Sequence, residues 1–110
     1  MINNDIILKV NDYRGKEIVF KKTKWVKKRL MHPELDKPAF LRRIERALLD
    51  PDEVWEDFSD KKNKRCYYKK YSQNTYAKVV IWNNNPYLVI TAYEIDKIKE
   101  KNYPNLKQIK

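Results

Sequence analysis

The spacing of apolar residues changes character near Pro51. Before it lie two helix-like stretches, and after it the chain alternates as strands do. Ahead of the helices, Ile2 to Val10 and Glu17 to Phe20 read as two short strands around a turn at Asn11 to Lys16, which holds the only glycine, Gly15. A first helix is predicted from near Thr23, a fair N-cap, with Trp25, Val26 and Leu30 turned inward. Pro33 ends it, because a residue before proline is pushed out of the α region, so His32 stands at or just past its end. A second helix opens with Pro38, whose missing N–H costs nothing there. Phe40, Leu41, Ile44, Ala47 and Leu48 form its apolar stripe, Arg42, Arg43, Glu45 and Arg46 lie opposite, and it ends before Pro51.

Four strands follow at Val54 to Phe58, Arg65 to Tyr71, Tyr76 to Trp82 and Tyr87 to Tyr93. Their short polar connections imply an antiparallel meander. Ile95 to Lys110 reads as a helical turn running into a basic tail. The predicted fold is α+β: N-terminal short strands and two helices packed on one face of a four-stranded antiparallel meander, in one domain. With Trp82 opposite Tyr87, Val80 meets Val89, Lys78 meets Thr91 and Tyr76 meets Tyr93. Ala77, Val79, Ile81, Leu88, Ile90 and Ala92 then form the apolar core face. A two-residue turn at Gln73 and Asn74 places Arg65, Tyr67, Lys69 and Tyr71 on the open face, because a slip of one would expose valines and bury lysines.

Length fits one domain, and an apolar fraction of 42% is enough for one core. Lys and Arg number 25 against 15 Asp and Glu, a net charge of +10. Such an excess repels itself and calls for an acidic partner: nucleic acid, an anionic membrane surface or an acidic protein. Eight Tyr, three Trp and three Phe accompany the cations. Stacking rings beside phosphate-binding charges favour nucleic acid, and RNA above all. The single cysteine, Cys66, cannot form an internal disulfide, and no apolar run is long enough to cross a bilayer, so a cytoplasmic protein without membrane contact is expected.

Basic residues cluster in three places. Lys21, Lys22, Lys24, Lys27, Lys28 and Arg29 surround the first helix. Lys61, Lys62, Lys64, Arg65, Lys69 and Lys70 surround the loop into the second meander strand, and Lys97, Lys99, Lys101, Lys107 and Lys110 line the tail. One His and one Cys far apart cannot build a zinc site, and phosphate loops need glycines that the chain lacks. No metal or cofactor is expected. Phosphodiester cleavage without a metal points to RNA, whose 2′-hydroxyl can serve as an internal nucleophile. Such a reaction needs a base, an acid and cations around the crowded phosphorane. His32 is the only side chain whose ordinary pKa suits proton transfer near neutrality. Tyr67, Tyr71, Tyr76 and Tyr93 can stack bases, although each alone also fits a half-buried sheet residue. Thr91 can bond a phosphate oxygen.

The run Lys28-Arg29-Leu30-Met31-His32-Pro33-Glu34, an amphipathic helix, Leu49-Asp50-Pro51-Asp52-Glu53-Val54 and the closing Val89-Ile90-Thr91-Ala92-Tyr93 together resemble the phage-associated barnase–EndoU–colicin–RelE-like (BECR-fold) nucleases. The likeness extends from Thr23 to Tyr93. It departs where many members carry a second histidine upstream, since Trp25 and Lys28 stand there. The resemblance implies helices on an antiparallel meander and metal-independent RNA cleavage, and it singles out His32, Arg29, Arg65, Tyr67 and Thr91. The resulting expectation is a toxin-like or mobile-element endoribonuclease. In it His32 transfers a proton, Arg29, Arg65 and Lys69 hold phosphate, and Thr91 and Tyr93 position substrate. Tyr67 stacks a base, and Lys28, Tyr71, Tyr76 and Lys78 extend the RNA-binding face. A non-catalytic RNA-binding module on the same face is the alternative. Docking of an acidic antitoxin or immunity partner is a third possibility, compatible with the nuclease reading because a cellular ribonuclease needs restraint.

Overall fold

The computed structural model describes residues 5–57, 63–83, 86–98 and 106–110. The first turn shows why the chain reverses where it does. Asp12 Oδ1 accepts the amides of Arg14 (2.9 Å) and Lys16 (3.0 Å), and Gly15 takes φ +84°, a conformation strained for any side chain. Strands β1 (Ile6–Asn11) and β2 (Glu17–Lys21) pair antiparallel across it. Helix α1 (Lys22–Met31) follows without a break, and its N-cap is Lys21, with no side-chain cap bond, in place of the expected Thr23. The His32 amide closes the helix on the Lys28 carbonyl at 2.8 Å, so His32 is the C-cap, as Pro33 requires. A 3₁₀ turn (Pro33–Asp36) buries Leu35, and helix α2 (Pro38–Leu49) then buries Phe40, Ile44, Ala47 and Leu48.

Helix α1 is rotated from its expected setting. Trp25 donates its indole N–H to the Leu35 carbonyl (3.1 Å) and packs against the core, which turns Val26 and Leu30 outward. The helix has no buried residue.

Strands β3 (Glu53–Asp57), β4 (Lys64–Ser72), β5 (Thr75–Trp82) and β6 (Tyr87–Ile95) form the expected antiparallel meander. The sheet does not stop there. It has seven strands in the order β1-β2-β6-β5-β4-β3-β7, and it is mixed, because β2 joins β6 in parallel at Ile18–Tyr87 and Val19–Leu88. Ile18 and Phe20 of β2 enter the core, which draws the hairpin onto that edge. At the other edge the end of the expected free tail is instead strand β7 (Leu106–Gln108) on β3, followed by Ile109 and Lys110 bonded to Val54, while residues 99–105 of the expected helical turn and tail lie outside the described residues. Phe58, Lys61, Lys62, Lys99 and Lys101 lie outside the described residues. Among those described, no helix is long and apolar enough to cross a membrane.

Two bulges overturn the expected register. Lys70 pairs with Tyr76 but Ser72 with Thr75, so Tyr71 is an extra residue beside the Gln73–Asn74 turn. Beyond it, Tyr67 meets Val79 and Arg65 meets Ile81, on the helix-covered face instead of the open one. In β6, Val80 pairs with Thr91 but Ile81 with Val89, leaving Ile90 extra. Val89 therefore enters the core, while Leu88 and Ile90 are only half-buried. Lys78 meets Tyr93, not Thr91, and Tyr76 meets Ile95, not Tyr93. One added residue moves every side chain beyond it to the other face.

Arg65 and Tyr67 are consequently buried, at 2% and 0% exposure. All three guanidinium nitrogens of Arg65 are engaged: Nε donates to Tyr67 Oη (3.1 Å), Nη1 to Glu56 and Nη2 to Tyr13 Oη. Tyr67 donates in turn to Asp12, which also accepts from Arg14 Nε at 2.9 Å. The sheet thus curls around α2 far enough for the β1–β2 turn to meet β4. Burial alone would raise the Asp12 pKa, but bonds from Tyr67, the Lys16 amide and Arg14 outweigh it and hold the carboxyl below its ordinary value. Burial, reinforced by the bond to Asp12, pushes the Tyr67 phenol up.

Because the folded-state pKa of Asp12 is depressed, its stabilisation is complete above the unfolded value near ~3.9 and disappears as pH falls through the folded one. Asp12→Asn should cost about 3 kcal/mol at neutral pH, as expected for breaking a buried charged network. The penalty should shrink below pH ~4. Urea unfolding of both proteins across that range checks the sign, and a penalty independent of pH would assign Asp12 a purely geometric role.

Candidate active site

His32 is presented by a junction held at both ends. Upstream, its amide caps α1. Downstream, Glu34 Oε2 accepts the Glu94 amide at 3.1 Å. Strand β6 pairs with β2 only through Tyr87 and Leu88, so the amides farther along that edge need acceptors from elsewhere. Glu34 supplies one and ties the 3₁₀ turn to the strand. The imidazole is then laid flat on the Tyr93 ring, with centroids 4.7 Å apart and planes at 14°.

Tyr93 belongs to the sheet face turned away from α2. Its cross-strand neighbour Lys78 places Nζ 5.5 Å from the Tyr93 ring and 5.5 Å from the ring of Tyr68, which pairs with Lys78 on the other side. One row across the sheet therefore runs Tyr68, Lys78, Tyr93, with His32 stacked at its end. Thr91 lies two residues along β6 from Tyr93, on the same face and roughly 7 Å away. Its hydroxyl is buried and has no hydrogen-bond partner among the described residues. Tyr76 shares the face, with Lys70 Nζ 5.9 Å from its ring. Lys28 and Arg29 occupy the last turn of α1, where cations complement the carbonyl end of the helix, and the Arg29 guanidinium lies 4.7 Å over Trp25.

His32, Tyr93, Lys78 and Thr91 are thus gathered on one surface, with Arg29 and Lys28 in the turn just before the imidazole. The bulges send the other candidates elsewhere. Arg65 and Tyr67 are locked in the buried network. Lys69 bonds Asp50 and Asp52, each at 3.3 Å, and although burial would lower its pKa the two carboxylates raise it. Tyr71 packs against the core beneath the Arg43 guanidinium, 3.8 Å from its ring, and burial together with Glu94 pushes its phenol up to about 12. The expectation that Arg65, Tyr67, Lys69 and Tyr71 share the open face with Thr91 is therefore corrected.

Sequence reasoning missed Tyr68 and Glu34. Tyr68 takes the sheet face expected for Tyr67, although it is fully buried there beside Lys78, and only the bulge distinguishes the two adjacent tyrosines. Glu34 lay in view within the His-Pro-Glu segment, but its acceptor role depends on a bare strand edge that no local pattern reveals. Among the described residues, no three His, Cys, Asp or Glu side chains are grouped to hold a metal ion.

A model of the phage-Barnase-EndoU-ColicinE5/D-RelE like nuclease 2 family matches residues 4–110. The chain belongs to that family. No curated protein and no solved structure shows significant similarity to it. The membership makes this a nuclease-like domain, and the match includes the hairpin and the C-terminal strand as well as the stretch from Thr23 to Tyr93. In this family member the His-Pro-Glu segment and the Thr-Ala-Tyr strand, far apart in sequence, meet at the stacked pair His32 and Tyr93.

If Glu34 sets the imidazole on its ring, Glu34→Ala should release the stack. The His32 ring protons, shielded by Tyr93, should then shift downfield in the NMR spectrum, while Glu34→Gln, which keeps an acceptor oxygen, should leave them nearly in place. Unmoved resonances in Glu34→Ala would show that the carboxylate does not hold the stack.

Proposed function

We propose that the protein is a metal-independent endoribonuclease of toxin or mobile-element type that cuts RNA in the cytoplasm by transesterification. Family membership supports nuclease chemistry. The observation that carries the finer reading is the stacking of the only histidine on Tyr93, in the same row as Lys78 and beside the Thr91 hydroxyl, which has no hydrogen-bond partner among the described residues.

In this reading the 2′-oxygen loses its proton and bonds to phosphorus, the bond from phosphorus to the 5′-oxygen breaks, and the leaving oxygen gains a proton. His32 makes one of the two proton transfers. Lys78 and Arg29 offset the charge gathering on the phosphorane. Thr91 donates its hydroxyl to a non-bridging oxygen, a partner that the described residues do not supply. Tyr76 and Lys28 flank the path of the strand, where an unpaired base can stack. Arg65, Tyr67, Lys69 and Tyr71 have no part in this chemistry.

Purified protein should cut single-stranded RNA in the presence of EDTA and leave a 2′,3′-cyclic phosphate. His32→Ala should lower turnover by about 10²- to 10⁴-fold, the usual contribution of a positioned acid or base, with RNA affinity changed only slightly. Gel analysis of end-labelled RNA, with and without ribosomes, checks both points. Intact RNA under every condition, or equal cutting by His32→Ala, would leave a module that binds RNA and does nothing more.

A further inference from the structure

The outward face of α1 has no use in the proposed chemistry. Viewed down the axis, Lys24, Trp25, Lys28 and Arg29 take the half-buried side, while Thr23, Val26, Lys27 and Leu30 point to solvent. Leu30 is 81% exposed, Met31 69% and Val26 38%. Val26 and Leu30 stand one turn apart, so the apolar residues form a narrow row. An open hollow of about 410 Å³ continues this row toward the helix start, lined by Asp5, Lys22, Thr23, Val26 and Lys27. The stretch from Lys21 to Met31 contains six basic residues and no acid.

We infer that this face is a docking surface for an acidic protein segment carrying apolar anchors at helical spacing. Leu30 and Met31 supply anchor sites, and Met adapts readily to a partner's shape. Lys22 and Lys27 flank the row and meet the partner's carboxylates at the rim, where charge steers association. A helix laid in such a row presents side chains at i, i+3, i+4 and i+7, matching the run from the hollow through Val26 to Leu30. Charge selects against the other occupants. A second copy of a chain with net charge +10 would be repelled. RNA would satisfy the lysines and leave Leu30 and Met31 uncovered, and the rings that stack bases lie around Tyr93. A bilayer asks for a wide apolar face, and this one is a single row. Because Met31 directly precedes His32, a segment seated here also borders the imidazole, and in the reading proposed above it restrains cutting.

The test uses a fluorescein-labelled synthetic acidic helix of about five turns, with leucines recurring every third and fourth position and glutamates elsewhere. Fluorescence anisotropy with the full chain should show saturable binding at least about tenfold tighter than to a scrambled peptide of the same composition or to polyglutamate. The double variant V26Q/L30Q, both positions being exposed, should weaken it about tenfold, as loss of interface anchors does. Unchanged circular dichroism would certify its fold, and Lys22→Glu with Lys27→Glu should weaken binding independently. No binding, equal binding of the scrambled peptide, or indifference to both variants overturns the inference. So does a V26Q/L30Q effect confined to single-stranded RNA or to phosphatidylglycerol vesicles. Slowed RNA cleavage by the bound peptide is the one arm that rests on the nuclease reading. If the wild type cuts nothing, that reading falls, while anisotropy still decides the docking surface.

Discussion

Two extra backbone residues, Tyr71 in β4 and Ile90 in β6, determine what each face of the sheet can do. A strand has period two, so a single insertion exchanges inside for outside along everything beyond it. The insertion at Tyr71 carries Arg65 and Tyr67 beneath α2 and brings Tyr68 up beside Lys78. The insertion at Ile90 lets Val89 fill the core while Thr91 and Tyr93 remain on the outer surface. Without these bulges the polar side chains of β4 would compete with the row that ends at His32. With them the molecule keeps two separate polar systems, one closed and one open.

The closed system has a structural task. Arg65 is among the largest fully buried side chains, and a buried guanidinium is tolerable only when its donors are satisfied. Glu56, Tyr13 and Tyr67 satisfy them, and Asp12 and Arg14 complete the network at the hairpin turn. Five elements meet there: the β1–β2 turn, β3, β4, the end of α2 through the bond from the Tyr13 amide to the Leu48 carbonyl, and the C-terminal residue, whose Nζ lies 5.8 Å from the Tyr13 ring. The open system relies on a different device, the unpaired edge of β6, which Glu34 binds.

Much of this was legible in the residues. The extent of α2, the end of α1 at Pro33, the turn at Gly15 and the four meander strands follow from proline and glycine geometry and from apolar spacing, all local signals. The place of His32 at a helix end followed too, but its meeting with the Thr91–Tyr93 strand did not, because that stack joins segments far apart in the chain. What could not be read were the two bulges, since Tyr-Tyr and Lys-Lys repeats in β4 give both faces nearly the same chemistry. The parallel pairing of β2 with β6 and the return of the C-terminus to β3 were likewise hidden. They rest on contacts between distant segments. The outward turn of Val26 and Leu30 reversed a normal amphipathic reading, because the larger Trp25 takes the inward side of the helix, packed on the core and bonded to the Leu35 carbonyl.

The parallel pairing of Ile18 and Val19 with Tyr87 and Leu88 has a consequence for biosynthesis. The histidine leaves the ribosome well before the strand it rests on. A nascent chain therefore holds an imidazole with nothing to stack on, and contacts of such long sequence separation form slowly once the strand emerges. The surface row around Tyr93 is therefore assembled only after β6 has been made.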